Sequence, residues 1–248
     1  PTLAILVKRY HEIADFKPEE YFTLTADFGD YSGQWFDPKN EDEKKNNRIP
    51  DKETADQLAK LVRGKEAQVQ SVTAEPKKEL PPQLYDLTSL QRDANRKLGF
   101  TADKTLKLAQ ELYEKWKAVT YPRTDSRYLP MDMIGRAKLT LQKLPGAYQP
   151  LVQGIPWGEE GKLPFSRRIF DNAKVSDHHA LIPTPQTAPM DKLPPDAAKL
   201  FDMIARRTVA AFYPAYEYDA IKVITGCQEQ AFRSTGKVVR ISGWKDVY

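Results

Sequence analysis

The sequence predicts an α+β multidomain protein in which a β-rich domain is interrupted by a mainly helical one. Stretches that alternate β-favouring and polar residues lie towards both ends of the chain, at Tyr21–Phe28, at Ala67–Pro76, and again in "YDAIKVITGC" and "AFRSTGKVVRISGW". The middle has helical spacing with identifiable start and stop signals. Charge divides in the same way: from Pro81 to Pro214 there are 20 Lys+Arg against 14 Asp+Glu, whereas the rest has 18 against 20. The overall +4 is therefore concentrated in the helical part. A modest basic excess permits nucleic-acid binding without requiring it.

The opening "PTLAILVKRYHEIADF" (1–16) reads as a helix entered partway, and without an initiator Met the chain is expected to be an excised fragment. Tyr21–Phe28 follows as a half-buried strand, and Asp37–Pro50 as an exposed, polar connection with Pro near both ends. Asp51 is placed to cap a helix on which Ala55, Leu58 and Leu61 recur at helical spacing, with Gly64 to end it. After the strand at Ala67–Pro76, "KKELPP" marks a domain boundary stiffened by Pro81 and Pro82. Thr101 then caps a helix with Thr105, Ala109, Leu112 and Trp116 on one face, expected to stop just before Tyr121-Pro122 because a pre-proline residue avoids the α region. A further helix is expected over Met131–Leu144, a Gly- and Pro-rich surface excursion over Pro145–Ser166, and an amphipathic helix over Pro194–Tyr213 with Leu200, Ile204 and Phe212 inward. These readings give a lead-in helix (1–16), a discontinuous β-rich domain (17–80 and 215–248) and a helical domain (81–214).

Composition narrows the class. At 248 residues, 40% hydrophobic and 29% charged, the chain can bury a proper core. The single cysteine, Cys227, excludes an intramolecular disulfide and fits a reducing compartment. No apolar run approaches the roughly 20 residues that cross a bilayer, so no membrane partner is expected.

Two stretches carry chemistry. In "VTYPRTDSRYLP" (119–130), Tyr121 precedes Pro122 and Arg123 on a stiff turn. A phenol ionises near pH 10, so as a nucleophile it gains from an adjacent guanidinium that favours the phenolate and neutralises phosphate charge. Arg123 and Arg127 flank Thr124-Asp125-Ser126; Asp125 is positioned to orient Arg123, and the two hydroxyls to donate to phosphate oxygens. Read alone, Tyr-x-Arg is far more often an ordinary hydrogen-bonded loop than a catalytic pair, because most tyrosines pack and hydrogen-bond. In "SDHHALIPT" (176–184), His178 and His179 are two of only three histidines. Adjacent side chains point apart on a regular element, which disfavours a shared metal, and a lone His178 is more often a hydrogen-bonded structural histidine than a phosphate-binding one.

Taken together, "YPRTDSRYLP" and the later "DHHALIPT" closely resemble the type IA DNA topoisomerases, specifically the bacterial topoisomerase III branch. "LTSLQRDANRKLGFTADKTLKLAQELYE" and the terminal "VVRISGWKDVY" extend that resemblance essentially end to end. It implies part of a four-domain toroid, with a β-rich arch interrupted by the helical domain that bears the active tyrosine. It implies an isomerase that cuts one DNA strand through a 5′-phosphotyrosine, passes another strand and reseals without ATP; no G-x-x-x-x-G-K-[ST] loop occurs here. By motif match Tyr121 is the nucleophile, Arg123 stabilises the transition state, and His178, with His179 beside it, contacts DNA near the cut. Gln91, Arg96, Thr120, Thr124, Asp125 and Arg127 match positions along the DNA path or active loop. The partners implied are DNA, chiefly single-stranded, and a missing metal-binding domain of the same protein that holds Mg²⁺; the location implied is the cytoplasm, at the nucleoid. No D-x-D-x-E motif occurs, so no metal is expected on this chain, and alone it is expected to be inactive. The competing reading is a non-catalytic single-stranded DNA-binding module in which Trp116 and Tyr128 stack on bases.

Overall fold

The computed structural model of the protein describes residues 2–186 and 190–248; Pro1, at the head of the expected lead-in helix, and residues 187–189, within the expected helical domain, lie outside the described residues. The chain forms two units, one running up to Pro76 and including Asp219–Val238, the other Lys77–Tyr218 with Val239–Tyr248.

The first unit contains α1 (Thr2–Ala14), none of whose residues is buried, α2 (Lys52–Val62) and most of a five-stranded sheet. Its strands are β1 (Thr25–Asp27), β2 (Ser32–Phe36), β3 (Gln68–Glu79), β4 (Tyr216–Cys227) and β5 (Gln230–Ile241), in the order β1-β2-β5-β4-β3. β2 runs antiparallel to both neighbours, with Gly33 opposite Ala26 and Trp35 opposite Phe232. Asp51 caps α2 by accepting from the Thr54 N–H at 2.7 Å.

Three strand expectations change. The strand expected at Tyr21–Phe28 shrinks to β1 plus one bridge from Phe22 to Ile49, because the chain turns at Gly29 (φ 91°), whose N–H donates to Asp27 Oδ1. β2 escapes the sequence reading because Gly33 interrupts its pattern. A Cβ there would lie 2.9 Å from Ser234 Oγ and 3.1 Å from Phe232 Cβ, so close packing favours glycine over any residue that would make these neighbours shift. β3 continues through Pro76, which an edge strand tolerates because its missing N–H costs no ladder bond.

The second unit is built from α3 (Leu87–Leu98), α4 (Ala102–Glu114), α5 (Ile134–Lys143), α6 (Gln149–Gln153) and α7 (Pro195–Ala211). Asp86 and Ser89 form a reciprocal capping box at the start of α3, and Gly99 ends that helix in the left-handed region. Thr101 caps α4, and Thr105, Ala109 and Leu112 are fully buried against α3 and α7. Leu200, Ile204 and Phe212 are buried, as the spacing requires.

α4 stops at Glu114, well short of Tyr121. The chain leaves it through Lys117, in the left-handed region at φ 51°, and the Ala118 N–H returns to Leu112 O at 2.9 Å. Proline at 122 is therefore not what ends this helix. The expected surface excursion at Pro145–Ser166 instead contains α6 and buries Tyr148, Val152, Ile155 and Leu163. Tyr148 donates to Asp202 on α7, and Trp157 to the Val152 carbonyl, so the Gly and Pro residues shape a packed segment.

Candidate active site

A short two-strand ladder joins the two chemical motifs. Val119 pairs antiparallel with Pro183, the Thr120 N–H donates to Ile182 O at 2.9 Å, and the Thr184 N–H to Ala118 O at 2.9 Å. The Thr120 hydroxyl locks the register by donating to Ala180 O (3.1 Å) while accepting from the Ile182 N–H (3.0 Å). Thr120, matched by resemblance to the active loop, thus spends its hydroxyl on the ladder. Leu181 N–H donates to Tyr85 O and Ala180 N–H to Tyr128 O, both at 2.8 Å, so the histidine segment is held from either side.

The ladder sets Tyr121 and His178 together, ring centroids 4.4 Å apart and tilted by 45°. Tyr113 of α4 meets Tyr121 edge-on at 5.4 Å. Tyr121 is half-buried, whereas His178 and Arg123 are exposed. Gln110, also on α4, satisfies both ends of its amide when its oxygen faces Arg123, accepting from Nη2 at 3.1 Å and Nε at 3.2 Å. A guanidinium that donates two N–H groups on one edge to a single acceptor keeps its remaining N–H groups for an anion.

Several expected roles are redistributed. Asp125 does not orient Arg123; it accepts from Ser176 Oγ at 3.1 Å, tying the tyrosine loop to the histidine loop. Thr124 and Ser126 are buried, and their hydroxyls donate to the carbonyls of His178 (3.1 Å) and Lys174 (2.8 Å) instead of facing a phosphate. Arg127 pairs with Asp86 at 2.8 Å, and the Leu87 N–H donates to Thr124 O, so this arginine fastens the loop to the start of α3. Burial pushes the Asp86 carboxyl up, but its bonds from Ser89 and Arg127 outweigh that and hold it below the usual carboxylate range.

His179 lies with Nδ1 2.9 Å from Ala180 O, which favours a proton on Nδ1 and leaves Nε2 open. It lines a cavity of about 470 Å³ together with Tyr121, Thr120, Tyr113, Lys117 and Arg136; His178 and Arg123 do not line it. Gln91 and Arg96, both on α3, stand apart from this cavity. Gln91 donates to Ala102 O, and Arg96 pairs with Asp93 at the edge of a second cavity of about 500 Å³, which Lys97, Arg207 and Tyr248 also line.

Sequence reasoning missed Gln110, Tyr113, Lys117 and Arg136. Gln110 and Tyr113 are one helical turn apart beside the buried Ala109–Leu112 stripe, a spacing that put them on a shared face. Lys117 keeps a side chain where glycine normally serves, at a cost of roughly 1–2 kcal/mol. Arg136, on an exposed turn of α5, gave no signal. Among the described residues no three His, Cys, Asp or Glu side chains converge as a metal site needs.

The family model described as DNA topoisomerase matches residues 1–248, which include both the helical unit and the sheet it interrupts. The chain belongs to that family, in its type IA, topoisomerase III-like part. It is 38% identical over 248 residues to the DNA topoisomerase 3 of Bacillus subtilis (strain 168), covering 100% of this chain and 33% of that protein. To the DNA topoisomerase 3 of Bacillus cereus (strain ATCC 10987 / NRS 248) it is 35% identical over 250 residues, with the same coverage. The full-length topoisomerase I structure from Thermotoga maritima shares the fold, with a TM-score of 0.71 at 22% identity over 99% of this chain and 39% of that one. The chain spans about a third of the length of the curated relatives it matches. No helix among the described residues is long and apolar enough to cross a membrane.

Proposed function

We propose that, in the full-length protein, Tyr121 cleaves single-stranded DNA and holds the cut end while another strand passes. The phenol oxygen forms a bond to phosphorus and the P–O3′ bond breaks. The phenol proton is given up, and the departing 3′ oxygen takes one. Resealing is the reverse attack by the 3′-hydroxyl on the phosphotyrosine. One ester replaces another, so no ATP is consumed. Arg123, held by Gln110 on one edge, presents its free N–H groups to the phosphate oxygens as charge develops. His178, exposed beside the Tyr121 ring, binds the same phosphate or its neighbour. Mg²⁺, held by parts of the full-length protein outside these residues, would add charge stabilisation at the same phosphate.

The observation that carries this reading is the contact between the Tyr121 and His178 rings, created by a ladder between two separate loops. Pure packing does not require the only adjacent histidines to be docked on this tyrosine. The test is to incubate the full-length protein with end-labelled oligonucleotide, quench in denaturant and map the modified peptide. A DNA adduct on Tyr121, abolished by Tyr121→Phe with binding retained, is expected. An adduct on a different side chain, or binding with no adduct under any condition, overturns the reading and leaves the binding-module alternative. The 248-residue chain by itself is expected not to relax supercoiled DNA.

A further inference from the structure

Tyr121 has two faces. One meets His178, from the separate histidine loop; the other lines the 470 Å³ cavity with Lys117 and Arg136. No carboxylate among the described residues pairs with either of these two cations, whereas nearby Lys115 is paired with Glu111. Lys117 Nζ is 5.7 Å from the Tyr113 ring centroid, so a cation and an aromatic ring share the cavity. Lys117 also retains its side chain at φ 51°, a conformation that glycine adopts more readily.

We propose that this cavity is a binding site for the first nucleotides of the DNA strand that becomes joined to Tyr121, with Lys117 and Arg136 contacting its backbone phosphates and Tyr113 offering its ring to a base. The assignment rests on the nucleophilic role of Tyr121. A strand linked through its 5′ phosphate continues away from the tyrosine, and once cut it is held only by that bond and by whatever grips the following nucleotides. The cavity has the size of an ordinary small-ligand pocket, room enough for one nucleotide unit. Its lining suits such a unit: two unpaired cations for phosphate, the polar side chains of Thr184 and Gln186, and the Tyr113 ring. Because Arg123 is absent from the lining, the grip on the bound end is separate from stabilisation of the reacting phosphate.

The test compares full-length protein with its Lys117→Gln/Arg136→Gln variant, both carrying Tyr121→Phe so that only binding is read. Oligonucleotides either extend past the mapped cleavage position or stop at it. For the extended oligonucleotide, the slope of log K against log salt is expected to shrink by about 1.4, the release of two single-strand phosphate contacts at about 0.7 each. For the truncated one, the two proteins are expected to bind alike. Lys117→Arg/Arg136→Lys, which keeps both charges, is expected to restore the slope and so excludes misfolding as the cause. An unchanged slope on the extended oligonucleotide, an equal loss on both, or failure of the charge-conserving variant overturns the proposal. Adduct formation at Tyr121 is scored separately in protein with the tyrosine intact. An adduct with an unchanged slope sinks only the cavity assignment, whereas no adduct sinks the nucleophile assignment and this proposal with it.

Discussion

Asp93→Asn tests whether the histidine segment is supported by a buried charge network. Asp93 is nearly buried, and its carboxylate accepts from the Tyr85 hydroxyl (3.0 Å), from Arg207 Nη2, and from Arg96 Nη2 (3.0 Å). Arg207 also stacks its guanidinium 4.2 Å from the Tyr85 ring centroid. Burial pushes the Tyr85 phenol well above its usual range, so it stays protonated as the donor. Tyr85 in turn accepts from Leu181 in the histidine segment, which links the network to the site. The Arg207 side chain is 18% exposed, and its Nε has no partner. Removing the countercharge therefore strands a largely buried cation, a change that costs about 3–5 kcal/mol, with the lower end expected here because water still reaches both groups. For a unit of this size, 3 kcal/mol corresponds to a fall in Tm of roughly 6–12 °C. Arg96, by contrast, is 72% exposed, and Arg96→Ala is expected to cost under about 0.5 kcal/mol although it meets the same carboxylate. Chemical unfolding followed by far-UV circular dichroism reads both. The decisive comparison is Asp93→Asn/Arg207→Met, which removes both charges and should cost at least about 1.5 kcal/mol less than the sum of the single changes. Additive costs, or an Asp93→Asn penalty no larger than that of Arg96→Ala, refute the reasoning.

Gly243 has φ 51°, and a Cβ there would run into the Ala215 carbonyl oxygen and lie 2.6 Å from that of Pro214. Gly243→Ala is expected to cost about 3 kcal/mol, combining left-handed strain with a clash against rigid backbone. Gly99→Ala, also at positive φ but in open space, should cost only the strain, about 1–2 kcal/mol, and unfolding curves compare the two. Asp86 has a lowered folded pKa, so its stabilisation is present above the unfolded value near 3.9 and is lost as pH falls through the lowered folded value. The stability gap between wild type and Asp86→Asn should therefore be constant above about pH 5 and close in more acid solution; a gap that widens on acidification would contradict the sign. Arg123→Lys in the full-length protein is expected to slow cleavage at least about tenfold, since an ammonium cannot reproduce the planar fork, while Arg123→Ala should lose about 10²–10³-fold. Rapid-quench cleavage assays measure both.

The helices were legible because their signals are local. Asp51, Thr101 and Pro195 mark starts, Gly64 follows an end, and the apolar spacing of α4 and α7 names the buried faces. What failed depended on distant partners. Gly33 breaks a strand pattern for the sake of Phe232 and Ser234, and the Pro145–Ser166 segment packs because Tyr148 finds Asp202. In the site, Tyr121, Arg123 and His178 were named through recognised motifs, but the division of labour around them was not. Whether Thr124 donates to a phosphate or to the His178 carbonyl is decided by where a second loop lies, and nothing within "YPRTDSRYLP" encodes that.

This division of labour has a mechanical consequence. Tyr121 stands on a loop whose polar neighbours are committed elsewhere: Thr120 to Ala180 and Ile182, Thr124 to His178, Ser126 to Lys174, Asp125 to Ser176 and Arg127 to Asp86. Each of these partners belongs to the same unit as the tyrosine. The side chains left uncommitted are those suited to meeting an anion, namely the outer edge of Arg123, the exposed ring of His178 and the cations Lys117 and Arg136. To shift Tyr121 relative to His178, the Thr120 ladder and the Thr124 bond must break together, each buried group losing about 1–3 kcal/mol if left unpaired. On the proposed role of Tyr121, a strand end attached to it is therefore expected to stay with the tyrosine, the arginine and the histidine in register for resealing.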